Sequence, residues 1–193
     1  MASSEAEICS YALSLVGAKP ITALTDNSRE AKLCARLYPK SLQEVLRIGP
    51  WSAARKVFVL SADDPAIGGF TFKFSYQLPP DYIRIWATSL DKEWGGAGDT
   101  WQIMGKKLVS DFTPVKILYV HRVTDVLLFD TLLEKALAYD LAAKFAFPIT
   151  NLLNVQAGFE EMRDRAAKQA LAIMSQEQTK KRFRSDTLTT SVR

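Results

Sequence analysis

The run Tyr76-Gln77-Leu78-Pro79-Pro80-Asp81-Tyr82-Ile83-Arg84 constrains this chain of 193 residues more than any other stretch. Each proline fixes its own φ and drives the residue before it towards extended backbone. Beyond the prolines the sequence alternates, with Ile83 and Ile85 opposite Tyr82, Arg84 and Trp86. That is the period of a strand, so the run reads as a stiff corner feeding a strand. It holds no catalytic group. A chain whose densest local signal is a rigid joint reads as a building part rather than an enzyme.

Helical patterns stand on both sides of the joint. Residues 4–16 carry Ile8, Ala12, Leu15 and Val16 at helical spacing, with Ser4 as cap, Glu7 at the capping-box position and Gly17 as terminator. A second helix is predicted from about Ser28 to Ile48, with a kink at Pro39 and a stop at Gly49-Pro50. Trp51–Leu60 mixes the helix-favouring Ala53 and Ala54 with the strand-favouring Val57-Phe58-Val59-Leu60, and its type stays open. The middle third reads as a small antiparallel sheet of about four strands, with a hairpin turn at Gly105-Lys106. Helices then return. One runs from Asp130 or Thr131 to about Phe147 and is stopped by Pro148. A longer one runs to roughly Lys180, with Leu153, Ala157, Met162, Ala166, Ala170, Ile173 and Met174 facing inward.

Helices that flank an insertion pack together most simply as a four-helix bundle. The fold expectation is therefore α+β: a four-helix bundle with an inserted small antiparallel β-sheet and a flexible basic C-terminal tail. Residues 1–50 and 126–180 form the bundle, 51–125 the β-rich insertion and 181–193 a C-terminal arm.

Composition excludes several function classes. The net charge of +4 is too small to argue for nucleic-acid binding by itself. Cys9 and Cys34 sit among apolar residues and read as buried thiols in a reduced compartment, in a chain long enough to bury a core without disulfides. The first residues lack a signal-peptide pattern, and no apolar run approaches membrane-spanning length, so a cytosolic site of synthesis is expected. His121 is the single histidine, which rules out a metal site with two histidine ligands, and the two cysteines are too few for a structural zinc site. Cys9 or Cys34 becomes a nucleophile only if the fold brings it beside His121. Gly105-Lys106-Lys107 fails as a phosphate loop, because Thr100 stands where glycine is needed and Lys107 where serine or threonine is needed. The acidic pairs Asp63-Asp64 and Glu160-Glu161 are adjacent residues; on a helix neighbours point about 100° apart, so Glu160 and Glu161 do not form a facing carboxylate pair.

The order and spacing of several motifs carry a resemblance. They are Ile8-Cys9 through Ala12-Leu13 and Val16-Gly17; Ala31, Cys34 and Tyr38-Pro39; Trp51 with Ala54-Arg55-Lys56; and Tyr76 through Asp81. Trp101 before Gly105, the run from Tyr119 to Asp125, Phe129-Asp130 and the alanine-rich helix follow. Over residues 5–175 or so the chain resembles the tail tubular protein A family of short-tailed bacteriophages and related prophages, the head-to-tail adaptors. The resemblance implies a virion structural protein, assembled in host cytoplasm. It would form a ring of twelve copies between the portal protein and the tail nozzle protein and enclose the channel for double-stranded DNA. It implies no catalysis, no cofactor, no metal and no membrane partner. The alternatives are a cell-wall hydrolase or a DNA-binding module of a phage. On physical grounds the contact arms are the glycine-rich loop 91–100, with Trp94, and the tail, with Lys180, Lys181, Arg182, Phe183 and Arg184.

Overall fold

The computed structural model describes residues 4–49, 51–62, 72–91, 101–150 and 153–177. Helix α1 (Glu5–Leu15) begins where Ser4 accepts a hydrogen bond from the Glu7 amide, and it ends at Gly17, whose φ of +72° favours glycine. Helix α2 (Arg29–Ile48) is capped by Ser28 through the Ala31 amide and continues through Pro39. Trp51 then folds back, buried, and its Nε1–H donates to the Val45 carbonyl at 2.8 Å. That bond satisfies one of the carbonyls left open at the end of α2.

The segment whose type the sequence left open is mixed. A 3-10 turn at Ser52–Ala54 leads into strand β1 (Arg55–Leu60). Five more strands follow: β2 (Phe74–Gln77), β3 (Tyr82–Thr88), β4 (Trp101–Met104), β5 (Lys107–Ser110) and β6 (Val115–His121). They form two antiparallel three-stranded sheets, in the orders β1-β6-β3 and β2-β5-β4, not one sheet of about four strands. The proline joint explains the difference. Pro80 and Asp81 are the centre of a turn closed by the Tyr82 amide donating to the Pro79 carbonyl at 3.1 Å. The turn carries the chain from β2 in one sheet to β3 in the other. Leu60, Ile85, Val115, Ile117 and Tyr119 of the first sheet meet Tyr76 and Leu108 of the second in a core of their own.

Helix α3 (Thr131–Thr150) starts at Asp130, whose carboxylate accepts from the Leu133 amide at 2.7 Å. It runs through Pro148 rather than stopping before it. A proline so close to a helix end removes a single backbone bond, and Arg29 donates to the Pro148 carbonyl at 2.9 Å. Helix α4 (Leu153–Glu177) is the last element.

The helices do not form a four-helix bundle. Leu133, Ala136, Leu137, Ala138, Leu141, Ala142 and Phe145 are buried around α3, which is the central rod. Helices α1, α2 and α4 each lie against it. Helix α4 gives the core Ala166, Ala167 and Ala170, while Met162 and Ile173, expected inward, are both 46% exposed. Small side chains bring α4 close to α3 along a narrow seam and leave the larger residues outside it. The rest of the helical core is closed by Val120, Val123, Val126 and Phe129, with Ile83 packed against it. The sheet thus supplies part of the wall that a bundle would take from a helix. The result is a mixed α+β fold with helices on part of one face of the β1-β6-β3 sheet and the second sheet on the other.

Candidate functional site: an uncovered sheet edge

Among the described residues strand β1 pairs on one side only. Its partner is β6, in the register Val57 opposite Leu118, Phe58 opposite Ile117 and Val59 opposite Lys116. Its other side is the edge of the sheet. Residues directly opposite one another share a face, so Phe58 lies with the buried Ile117 and points towards the inter-sheet core, while Val57 and Val59 point the other way. Both directions are open to water: Val57 is 71%, Phe58 47% and Val59 53% exposed. Soluble proteins blunt edge strands with charge, proline or cover. Here the charges Arg55 and Lys56 stand at one end, and the apolar stretch that follows has none.

The outer face of this sheet divides in two. At the helical end Val120 is buried, and Arg84, opposite it, reaches the end of α2: its guanidinium donates to the Arg47 carbonyl at 3.1 Å. The Arg47 guanidinium donates in return to the Ile83 carbonyl at 3.0 Å. Beyond this contact Arg84 lies over Trp86, 5.1 Å from the ring centroid, and Trp86, Leu118, Val57 and Val59 are left without full cover. Register shifts between Tyr82 and Arg84 and between Ile85 and Ala87 mark bulges in β3. They undo the simple alternation of the sequence: Ile83 packs on the helical core and Ile85 on the inter-sheet core.

The joint is fastened to this surface. Asp81 accepts hydrogen bonds from Lys56 of β1 at 3.1 Å and from the Tyr119 hydroxyl of β6 at 3.0 Å, and its carbonyl accepts from the Arg122 amide at 2.8 Å. Burial alone would raise the Asp81 carboxyl; the two side-chain hydrogen bonds and the Lys56 charge outweigh it and hold the group below the usual aspartate value. Burial, then the hydrogen bond to Asp81 and its negative charge, push the Tyr119 phenol up to about 12.

The second sheet has edges of its own. Strand β4 is one of them, with Ile103 and Met104 exposed. Among the described residues, therefore, two different apolar edges on two different sheets stand uncovered.

The residues singled out from the sequence fall as follows. Trp94, Lys180, Lys181, Arg182, Phe183, Arg184, Asp63 and Asp64 lie outside the described residues. His121 closes β6, and its Nδ1 carries the proton given to the Ala54 carbonyl at 2.8 Å. Cys9 and Cys34 are free and buried, and a hydrogen bond with Cys34 together with burial pushes the Cys9 thiol up, away from the thiolate. Glu160 accepts from Gln156 and Glu161 from Arg165, so the two carboxylates serve separate partners. Gly105 and Lys106 form the hairpin turn between β4 and β5, with Gly105 at a φ of +62°. No group of three or more His, Cys, Asp or Glu among the described residues is placed to hold a metal ion. None of their helices is long and apolar enough to cross a membrane.

Sequence reasoning missed the β1 edge because Val57-Phe58-Val59 is apolar throughout and shows no alternation. It also missed a charged cluster between α2, α3 and α4. Asp140, 1% exposed, accepts from Lys144 at 2.8 Å and from Arg163 at 2.9 Å, and Lys144 also reaches Ser41 and Glu44. No protein-family model matches this chain, and no curated protein matches it.

Proposed function

We propose that the chain is a virion structural protein, a head-to-tail adaptor that assembles as a ring between portal and tail nozzle. The observation that carries this reading is the edge strand β1, which offers Val57, Phe58 and Val59 to solvent on a side where no strand of the described residues pairs with it. Such an edge favours pairing with another chain. The second uncovered edge, β4, has different side chains. Two unlike edges on one subunit make a head-to-tail contact, and repetition of a head-to-tail contact closes a ring when the rotation allows. The motif resemblance set out above supports the phage setting, with twelve copies as the expected ring.

The experiment is to mix the purified chain with portal rings of the phage or prophage that encodes it and to weigh the products by native mass measurement. A portal-bound ring supports the reading. A chain that stays monomeric at high concentration, with its C-terminal tail intact and portal present, overturns it.

A further inference from the structure

From its charge pattern we infer that α2 carries a docking rail for the phosphate backbone of double-stranded DNA. Arg29, Lys32, Arg36, Lys40 and Arg47 follow one another at spacings of three, four, four and seven residues. At 3.6 residues per turn these positions stay within one narrow stripe, about 27 Å long from end to end. All five side chains are exposed. None forms an ion pair with a carboxylate of the described residues. The nearest acid along the stripe, Glu44, is taken by Lys144 of α3.

Helix α4 shows what a compensated charged face looks like in the same molecule. There Arg163 pairs with Asp164 and Arg165 with Glu161. The α2 stripe instead sets like charges three and four residues apart, each such pair costing about 0.2–0.5 kcal/mol in an isolated helix. It also begins with Arg29 in the first turn, where the helix dipole favours acids. A helix that carries this uncompensated cost is built for an anion outside the chain.

The shape of the surface selects the anion. A depression of about 590 Å³ lined by Arg29, Lys32, Leu33, Arg36 and Pro148 lies at one end of the stripe. A second, of about 400 Å³, lies at the other end, lined by Lys40, Arg47 and Tyr82 and also by Glu44, whose carboxylate is held by Lys144. Among the described residues no large apolar side chain of α2 is exposed, which removes the wedge that a membrane-lying helix needs. A row of cations along a helix suits a polyanion of high charge density, and duplex DNA carries about one negative charge per 1.7 Å of its axis. Arginine and lysine read phosphate rather than base edges, so binding is independent of sequence. The inference rests on the charges of α2 and holds whether or not β1 pairs with a second copy.

The test is fluorescence anisotropy of the full chain with a labelled random-sequence duplex across a salt series. Five phosphate contacts give a slope of log affinity against log salt of about −4.5. The double variant Arg36→Gln, Lys40→Gln is expected to bind more weakly at every salt and to lose about 1.8 from the slope. Its thermal midpoint should not fall, and should rise slightly, because both side chains are exposed and their removal relieves the like-charge repulsion along α2. A control variant, Lys19→Gln, should leave both affinity and slope where they were. An unchanged slope in the double variant overturns the inference. So does complete loss of DNA binding on removing residues 178–193, because the tail cations would then account for it. Anionic vesicles are the competing probe: if the double variant loses vesicle binding but keeps duplex binding, the stripe is not a DNA rail.

Discussion

Arg84 donates from its guanidinium to the carbonyl of Arg47, one of the four carbonyls that the end of α2 leaves without a helical partner. A cation at that end also complements the helix dipole. With the return bond from Arg47 to the Ile83 carbonyl, the pair ties the end of α2 to β3 beside the packing of Ile83 on the helical core.

Replacing Arg84 should therefore loosen that junction. Arg84→Ala is expected to cost about 1 kcal/mol, since it removes a charged hydrogen bond and the contact with Trp86 in a partly solvated place. Arg84→Lys keeps the charge and loses the planar fork, so it should recover only part of the loss. Urea denaturation, read as a shift in midpoint at constant slope, measures both.

The Asp81–Tyr119 pair gives the protein a pH dependence at each end of the scale. The folded Asp81 lies below the ordinary aspartate value of 3.8, so its stabilisation is present above that value and is lost as pH falls through the folded value. The folded Tyr119 is raised from 10.0 to about 12, so its stabilisation is complete below 10 and is lost as pH climbs towards 12. Asp81→Asn should flatten the acid limb of a stability–pH curve, and Tyr119→Phe the alkaline limb. Denaturation midpoints taken across both windows test this, and unaltered limbs would show that the joint is not held by these groups.

The charged cluster between α3 and α4 predicts a contrast between a nearly buried ion-pair site on α3 and an exposed one on α4. Asp140→Ala leaves Lys144 and Arg163 without their shared, nearly buried partner, a change that costs about 3 kcal/mol. Arg165→Ala breaks an exposed i,i+4 pair and should cost under about 0.5 kcal/mol. Comparable losses for the two variants would mean that the Asp140 cluster is as well solvated as the surface.

Much of the local structure was legible, because its causes are local. Ser4 and Ser28 cap the first two helices, Gly17 ends α1, and Gly105 turns the hairpin, each by chemistry within four residues. What escaped the reading depends on partners far along the chain. The split into two sheets follows from where the Pro79-Pro80 turn delivers β3, and a strand pattern does not name its neighbour. Met162 and Ile173 fit the apolar period of α4, but the alanine seam on α3 left them outside. The α2 cations were readable on a helical wheel and were hidden by the chain's small net charge. Trp94 and the basic segment Lys180–Arg184 lie beyond the described residues, so the arms remain expectations of the sequence.

The sharpest expectation concerns β1. Val57 and Val59 both point to the uncovered face, where a charged side chain meets water and no core contact is lost. Val57→Lys with Val59→Lys should therefore leave monomer stability within about 0.5 kcal/mol of the parent. On an edge, lysine is also the residue that natural sheets use to refuse a neighbouring strand. The double variant is expected to stay monomeric and to fail to form a ring on portal, while its circular dichroism and thermal midpoint match the parent. Val115→Lys, on β6 and fully buried, is the contrasting case and should unfold the β part outright. If the edge variant assembles as the parent does, β1 is not the contact between copies, and the ring must close through another surface.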